Sequence, residues 1–138
     1  DFLSNHIAKG GKILGHNIVS FDLPVIRESM DCWAAGDILS KKDSIIDTKI
    51  LFSKSSLSYG NLQSSLNDLA KHNLNATKLM KSEDAPTAWR DGKYQEVVEY
   101  CLKDTQLTYD LYVLGKENSM LKSRCVDTGE IKEVILEW

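Results

Sequence analysis

The chain has 138 residues, 42% of them hydrophobic and 27% charged, with a net charge of −3. This length predicts one domain over residues 1–138 with its own hydrophobic core, and no apolar run approaches the roughly 20 residues of a membrane helix. We recognise no secretory leader, and the three cysteines are far apart, so we expect a reduced, cytoplasmic (intracellular) protein with no membrane partner and no zinc site.

Helical and extended patterns alternate along the first half of the chain. The predicted elements are a helix over residues 2–8, a short buried strand over residues 12–17, a helix from Leu23 to about Met30, and a strand-like segment over residues 44–52 that can bend into a helix. Pro24 suits the first turn of the second helix. Asp22 therefore lies where a strand gives way to a helix, and ligands bind at such strand ends in open α/β sheets.

The second half is mainly helical and ends in an extended segment. The predicted elements are a loop over residues 53–60, an amphipathic helix over 62–72, an irregular surface loop over 73–91, a long helix over 94–116 and a C-terminal β-hairpin over about 121–138. The hairpin is predicted because apolar and polar residues alternate around an Asp-Thr-Gly-Glu turn.

Two short motifs contain the residues best suited to chemistry. On the long helix, Tyr100 and Asp104 are four positions apart, so they project side by side from one face. Far upstream lies Asn17-x-x-x-Phe21-Asp22. Carboxylates such as Asp22 and Asp104 bind hard divalent cations, and paired ions activate water and stabilise the leaving oxygen in phosphodiester cleavage. A tyrosine with an ordinary pKa of about 10 is better suited to orienting that water than to deprotonating it.

Each of these residues also has a structural interpretation. Asp22 can cap the helix that follows it, while Tyr100 and Asp104 can be a half-buried phenol and a solvent-facing charge. Asp47, at another strand end, either approaches the site or serves as a turn-forming or capping residue. We expect His16 to be a structural hydrogen-bonding residue at the end of its strand rather than a metal ligand.

The region before the long helix contains aromatic and basic residues that could contact nucleic acid. Trp89 can stack on a base, although packing beneath the loop is the interpretation that we favour. The basic residues can follow a phosphate track, but a solvated loop face is the simpler interpretation; they are Lys78, Lys81, Arg90 and Lys93.

The two motifs, in this order, resemble those of DEDD-type 3′–5′ exonucleases. Asn17-x-x-x-Phe21-Asp22 is similar to the second motif of that family, and Tyr100-x-x-x-Asp104 is similar to the third motif in its tyrosine variant, DEDDy. Flanking residues extend the resemblance over about residues 12–115; they are Gly15, His16, Trp89 and Gly92. The group belongs to the DnaQ-like, ribonuclease H-like superfamily and includes the proofreading domains of family B DNA polymerases.

The resemblance implies a fold, an activity and a set of roles. The fold is ribonuclease H-like, a mixed sheet flanked by helices, and the activity is stepwise hydrolysis from the 3′ end of single-stranded DNA or RNA with two Mg²⁺ or Mn²⁺ ions. Asp22 and Asp104 become metal ligands, and Tyr100 becomes the catalytic residue that positions water. Asn17 and Phe21 contact or shape the binding site of the 3′-terminal nucleotide. Some members also have a covalently linked polymerase or helicase module.

The family's first motif, Asp-x-Glu on the first strand, is missing from the sixteen residues that precede Asn17. We therefore expect a fragment that lacks the first strands of the sheet, with Asp-x-Glu encoded upstream of Asp1. The alternative is a noncatalytic relative that keeps the ribonuclease H-like fold and binds nucleic acid or serves as a scaffold. A nucleotide-binding α/β domain has little support, because no Gly-rich phosphate loop follows a strand.

Overall fold

The structure is a computed structural model that describes residues 2–29, 31–76 and 81–138. Helices alternate with two small sheets, so the α/β class predicted from the sequence is confirmed. The chain divides into two compact units, Asp1–Lys54 and Ser55–Trp138, and each is described by itself. The single domain over residues 1–138 and the ribonuclease H-like mixed sheet stay predictions. None of the helices in the described ranges has the length and hydropathy that crossing a membrane requires.

The first unit contains a short parallel sheet. Its elements in chain order are α1 (Phe2–Ala8), β1 (Ile13–Gly15), a π-helix (Ile18–Asp22), α2 (Leu23–Ser29), α3 (Trp33–Ser40), a 3₁₀ helix (Lys42–Ser44), β2 (Ile45–Asp47) and the start of α4 (Thr48–Ser55). The strands pair in parallel, with Ile13 opposite Ile45 and Gly15 opposite Asp47. Both strands therefore end at the same edge, and the segments that follow them start side by side.

Apolar side chains from the π-helix, α2 and α3 form the core of this unit. Ile18, Leu23, Ala35 and Ile38 are buried against one another. Ala35 and Ile38 are three positions apart on α3, so they face the same side of that helix. Partly buried side chains complete the cluster; they are Leu3, Ile7, Ile13, Ile26, Cys32, Leu39 and Ile45.

The second unit consists of helices and a β-hairpin. Its elements are a 3₁₀ helix (Leu57–Tyr59), α5 (Leu66–Leu74), a second 3₁₀ helix (Ser82–Asp84), α6 (Ala85–Arg90), α7 (Tyr94–Asn118), β3 (Met120–Arg124) and β4 (Ile131–Ile135). β3 and β4 are antiparallel, which confirms the predicted hairpin. Leu121 lies opposite Val134 and both are fully buried, whereas the next pair, Lys122 and Glu133, is exposed. The alternation is that of a sheet with one face on the core.

Polar side chains form hydrogen bonds at both ends of helix α5. The Ser65 hydroxyl accepts a hydrogen bond from the Asp68 N–H at 3.1 Å and caps the helix. Near the other end, Asn73 pairs with the edge of β3 as a strand residue would. Its side-chain amide donates to the Lys122 carbonyl at 2.8 Å, and its carbonyl oxygen accepts from the Lys122 N–H at 2.7 Å.

Errors in the predicted elements fall in the connecting segments and at one helix boundary. The helix predicted over residues 62–72 begins only at Leu66, and Leu62 instead forms a β-bridge with Cys125. The loop predicted over residues 53–60 is wrong in part, because α4 continues to Ser55 and a 3₁₀ helix follows. The irregular segment predicted over residues 73–91 contains α6. Pro86 lies in the first turn of α6, where the N–H that proline lacks has no partner within the helix. The predicted helix end at Met30 and the basic residue Lys78 lie outside the described residues.

Candidate functional site

The Asn17 motif forms a tight turn in which asparagine has a backbone role. Asn17 adopts the left-handed conformation, with φ 64° and ψ 26°, which asparagine tolerates better than most residues. The π-helix begins at the next residue, and the Phe21 N–H donates to the Asn17 carbonyl at 3.1 Å. The four-residue spacing between Asn17 and Phe21 is therefore the spacing of one hydrogen-bonded turn.

The carboxylate of Asp47 holds this turn beside the end of β2. Its Oδ1 accepts a hydrogen bond from the Asn17 N–H at 2.9 Å, and its Oδ2 accepts from the Val19 N–H at 3.0 Å. Oδ1 also accepts from the Lys49 N–H at 3.0 Å and from the Ile50 N–H at 3.4 Å, in the first turn of α4. Asp47 is only 4% exposed. It therefore caps α4 and positions the Asn17 turn with the same two oxygens.

His16 has the structural role that the sequence predicts. Its Nδ1 lies 2.8 Å from the Thr48 hydroxyl, which donates to the Gly15 carbonyl at 3.2 Å. Because the hydroxyl has one proton and gives it to Gly15, the Nδ1 of His16 is the donor in the first bond. Position 15 favours glycine, since a Cβ there would collide with the side chain of Ile18.

Phe21 and Asp22 are exposed at the surface of the first unit, Phe21 by 61%. The π-helix runs into α2 without a break, so Asp22 does not occupy the non-helical position of an N-cap. Partial desolvation of the carboxyl raises the pKa of Asp22, its own backbone N–H lowers that pKa, and the charge of Asp47 raises it further. The exposed carboxyl of Asp22 therefore lies in the field of the buried Asp47 carboxylate.

Tyr100 and Asp104 interact on one face of α7, as their spacing predicts. Tyr100 is 8% exposed, and its hydroxyl is hydrogen-bonded to the side chains of Ser82 and Asp104. Burial raises the pKa of Tyr100, the bond with Ser82 lowers it, and the charge and hydrogen bond of Asp104 raise it. These directions mean that Ser82 donates to the phenol oxygen and that the phenol donates to the Asp104 carboxylate. Tyr100 therefore keeps its proton at neutral pH.

Trp89 and the basic residues near it are largely open to solvent. The Trp89 ring is 53% exposed and contacts the ring of Tyr94, so it packs against one neighbour without being enclosed. The side chains of Lys81, Arg90 and Lys93 are exposed, which fits the solvated loop face expected from the sequence.

The candidate residues fall into two groups, one in each unit. Asn17, Phe21 and Asp22 are in the first unit, and Tyr100 and Asp104 are in the second. The joint site that the resemblance implies for Asp22 and Asp104 stays a prediction. In the part of the chain that the structure describes, no group of three or more His, Cys, Asp or Glu side chains is placed to hold a metal ion.

Sequence reasoning missed two contributions to these groups. The first is the pair of bonds from Asp47 to the Asn17 turn, for which the only signal was an aspartate at the end of the neighbouring parallel strand. The second is Ser82, which reaches Tyr100 from a segment predicted to be irregular. No local pattern marks that serine.

Comparisons of the chain with protein-family models, with curated proteins and with solved structures find no match. Membership of the exonuclease family therefore stays a resemblance, carried by the two motifs over about residues 12–115.

Proposed function

We propose that this chain carries the second and third motifs of a DEDDy-type, metal-dependent 3′–5′ exonuclease that acts on single-stranded DNA or RNA. The observation that supports the proposal most is the hydrogen-bonded series Ser82, Tyr100 and Asp104. It places a buried phenol within hydrogen-bond distance of a carboxylate one helical turn away, and a tyrosine that positions water beside a metal ligand must lie close to that ligand.

In this proposal the metal ions bind to Asp22 and Asp104. Carboxylate oxygens are the donors that Mg²⁺ and Mn²⁺ prefer, and the charge of Asp47 beside Asp22 further favours a cation. When bound, the ions would activate a water molecule and stabilise the leaving oxygen of the phosphodiester. Asp47 is not offered as a ligand, because both of its oxygens accept backbone hydrogen bonds.

The other side chains have roles that need no metal. Tyr100 keeps its proton, since burial and the Asp104 charge raise its pKa, so it orients the attacking water instead of acting as the base. The exposed ring of Phe21 is available to stack on the terminal base. Asn17 sets the backbone turn that presents Phe21 and Asp22, which makes it a positioning residue in the proposed site.

The test uses the complete gene product that contains residues 1–138 and 5′-labelled single-stranded DNA and RNA with Mg²⁺ or Mn²⁺. We expect stepwise shortening from the 3′ end, none in EDTA, and none for Asp104→Asn or Asp22→Asn. Tyr100→Phe should retain metal-dependent cleavage at a rate about 100-fold lower, because it misplaces the water without removing a ligand. No shortening by the wild-type protein would contradict the proposal.

A matched control lies on the same helix. Asp110 is six residues beyond Asp104, and its carboxylate accepts a hydrogen bond from Gln106 at 2.8 Å. Asp110→Asn makes the same change of charge on a different face of α7, so we expect its activity to equal that of the wild type. Oligonucleotide binding without shortening would instead identify a noncatalytic relative.

A further inference from the structure

Trp89 and Tyr94 form an exposed aromatic pair between α6 and α7. Their ring centroids are 4.5 Å apart and the planes are inclined at 65°, so the edge of one ring meets the face of the other. Trp89 is nevertheless 53% exposed and Tyr94 is 54% exposed. The contact holds the two rings in a defined position and leaves about half of each side chain open to a ligand.

The backbone beneath the pair is well anchored. Ala88 is buried, and its carbonyl accepts a hydrogen bond from the Lys93 N–H at 2.9 Å. The Gly92 N–H donates to the Trp89 carbonyl at 3.1 Å, and Gly92 has a φ of 80°, a conformation that glycine adopts without strain. The turn between the two rings is therefore closed by its own hydrogen bonds, and the rings are presented on a preformed surface.

The charges around the pair distinguish stacking from phosphate binding. Arg90 and Lys93 are exposed and lie within the turn that joins the two rings. Over residues 81–93, three basic residues are balanced by three acidic ones; they are Lys81, Arg90 and Lys93 against Glu83, Asp84 and Asp91. This segment thus has no net charge, so the rings rather than a positive field must provide most of its binding to a polyanion.

The pair belongs to the same segment as the proposed catalytic tyrosine. Ser82 precedes Trp89 by seven residues, and its side chain is hydrogen-bonded to Tyr100. Along the axis of α7, Tyr94 precedes Tyr100 by about 9 Å and Asp104 by about 15 Å, at 1.5 Å per residue. With about 3.4 Å between stacked nucleotides, these distances correspond to about three to four nucleotides.

We propose that Trp89 and Tyr94 form a stacking platform for a base of single-stranded nucleic acid, about three to four nucleotides from the 3′ end. The class of ligand and the direction in which the strand lies, with its 3′ end toward Tyr100 and Asp104, rest on the proposed exonuclease function. Two aromatic faces with adjacent cations are the features with which proteins hold single strands without regard to sequence. Arg90 and Lys93 contact at most two phosphates, and the platform provides the remainder of the affinity.

The experiment measures binding separately from cleavage. Fluorescence anisotropy of 5′-labelled octamers of thymidine and of uridine is recorded in EDTA, with the complete protein. We expect Trp89→Ala to raise the Kd about 5- to 100-fold, the range for the loss of one stacked base, and Trp89→Phe to raise it about threefold or less. Trp33 is the matched control, because it is 83% exposed and lies in the other unit, so Trp33→Ala should leave the Kd unchanged.

Two further measurements locate the platform and identify its chemistry. An abasic site moved along the octamer should weaken binding most at the third or fourth position from the 3′ end, and Trp89→Ala should remove that dependence. The slope of log Kd against log salt should be no steeper than about 1.4, the value for two phosphates on a single strand. A much steeper slope would indicate phosphate binding and would overturn the stacking proposal.

The outcomes separate this proposal from the proposed exonuclease function. If Trp89→Ala binds the octamers with the wild-type Kd and still shortens substrates from the 3′ end, the platform proposal is overturned and the exonuclease proposal stands. Trp89-dependent binding without shortening supports the platform and contradicts the nuclease. If the wild-type protein binds neither octamer, the platform proposal is overturned, and a protein partner on the aromatic pair becomes the interpretation to pursue.

Discussion

Replacing Asp47 tests the central structural claim about the first unit, that one buried carboxylate holds the Asn17 turn and caps α4. Asp47→Ala removes the acceptor for the N–H groups of Asn17, Val19 and Lys49. Loss of a helix cap costs about 1 kcal/mol. Each of the two bonds to the Asn17 turn adds about 1.5–3 kcal/mol, because the acceptor is charged and the donors are left without it.

These contributions are not additive, so we expect Asp47→Ala to lower the free energy of unfolding by about 3–5 kcal/mol. This is a large share of the roughly 5–15 kcal/mol that stabilises a typical domain. Asp47→Asn keeps one oxygen but turns an amide N–H₂ toward backbone donors, and its cost should be about 2 kcal/mol, the cost of leaving a buried donor without its acceptor. The conservative variant therefore separates loss of the acceptor from loss of side-chain volume.

Urea denaturation measures the change in the free energy of unfolding. Amide hydrogen exchange measures the loss of protection at the Asn17 turn itself. In Asp47→Ala, the Asn17 and Val19 amides should exchange faster than in the wild type, whatever the stability of the second unit. Asp43→Ala is the control, because this exposed aspartate lies four residues before Asp47, and its effect should be within about 0.5 kcal/mol. A change below about 1 kcal/mol for Asp47→Ala, with unaltered exchange at both amides, would refute the reasoning.

Three further predictions concern the second unit. Ser65→Ala should destabilise the protein by about 1 kcal/mol in urea, because the cap of α5 is lost. Gly115→Ala should lower the melting temperature, since the new Cβ would lie 2.6 Å from the Trp138 ring; an unchanged value would contradict that packing. Hydrogen bonds from the Thr128 side chain and from nearby backbone N–H groups lower the pKa of Cys125 below its ordinary 9.0. The folded state therefore favours the thiolate, so the stability difference between wild type and Cys125→Ser should grow as pH rises toward 9 and level off above it.

The long helix illustrates what the sequence predicts well. Its apolar positions repeat with helical spacing from Val97 to Leu114, and the structure has a 25-residue α7 from Tyr94 to Asn118, two residues beyond the predicted end. Tyr100 and Asp104 lie on this one element, so their proximity follows from helical geometry alone. The pairing could be predicted because no other part of the chain has to be placed first.

Helix α6 shows why short elements escape prediction. It has only six residues, and among them only Ala88 is buried, so it lacks the repeated apolar positions that indicate a helix. The segment around it, residues 73–91, is polar and contains a proline, which together suggested a loop. The helix is instead defined by what it contacts, namely α7 and the Ser82 turn that reaches Tyr100. Such tertiary contacts have no local signal.

The motif that begins at Asn17 also shows the difference between what a local pattern predicts and what tertiary contacts determine. Its residue types were interpreted chemically, but the structure gives Asn17 a backbone role, because φ is positive there and its N–H is held by Asp47 across 30 positions of sequence. An Asn17→Gly substitution would keep that backbone conformation, whereas a β-branched residue would not. A motif residue can therefore be required for the shape of a site without touching its ligand. Within this motif, Phe21 and Asp22 are the residues exposed to a ligand, and chemical roles are best assigned to those two.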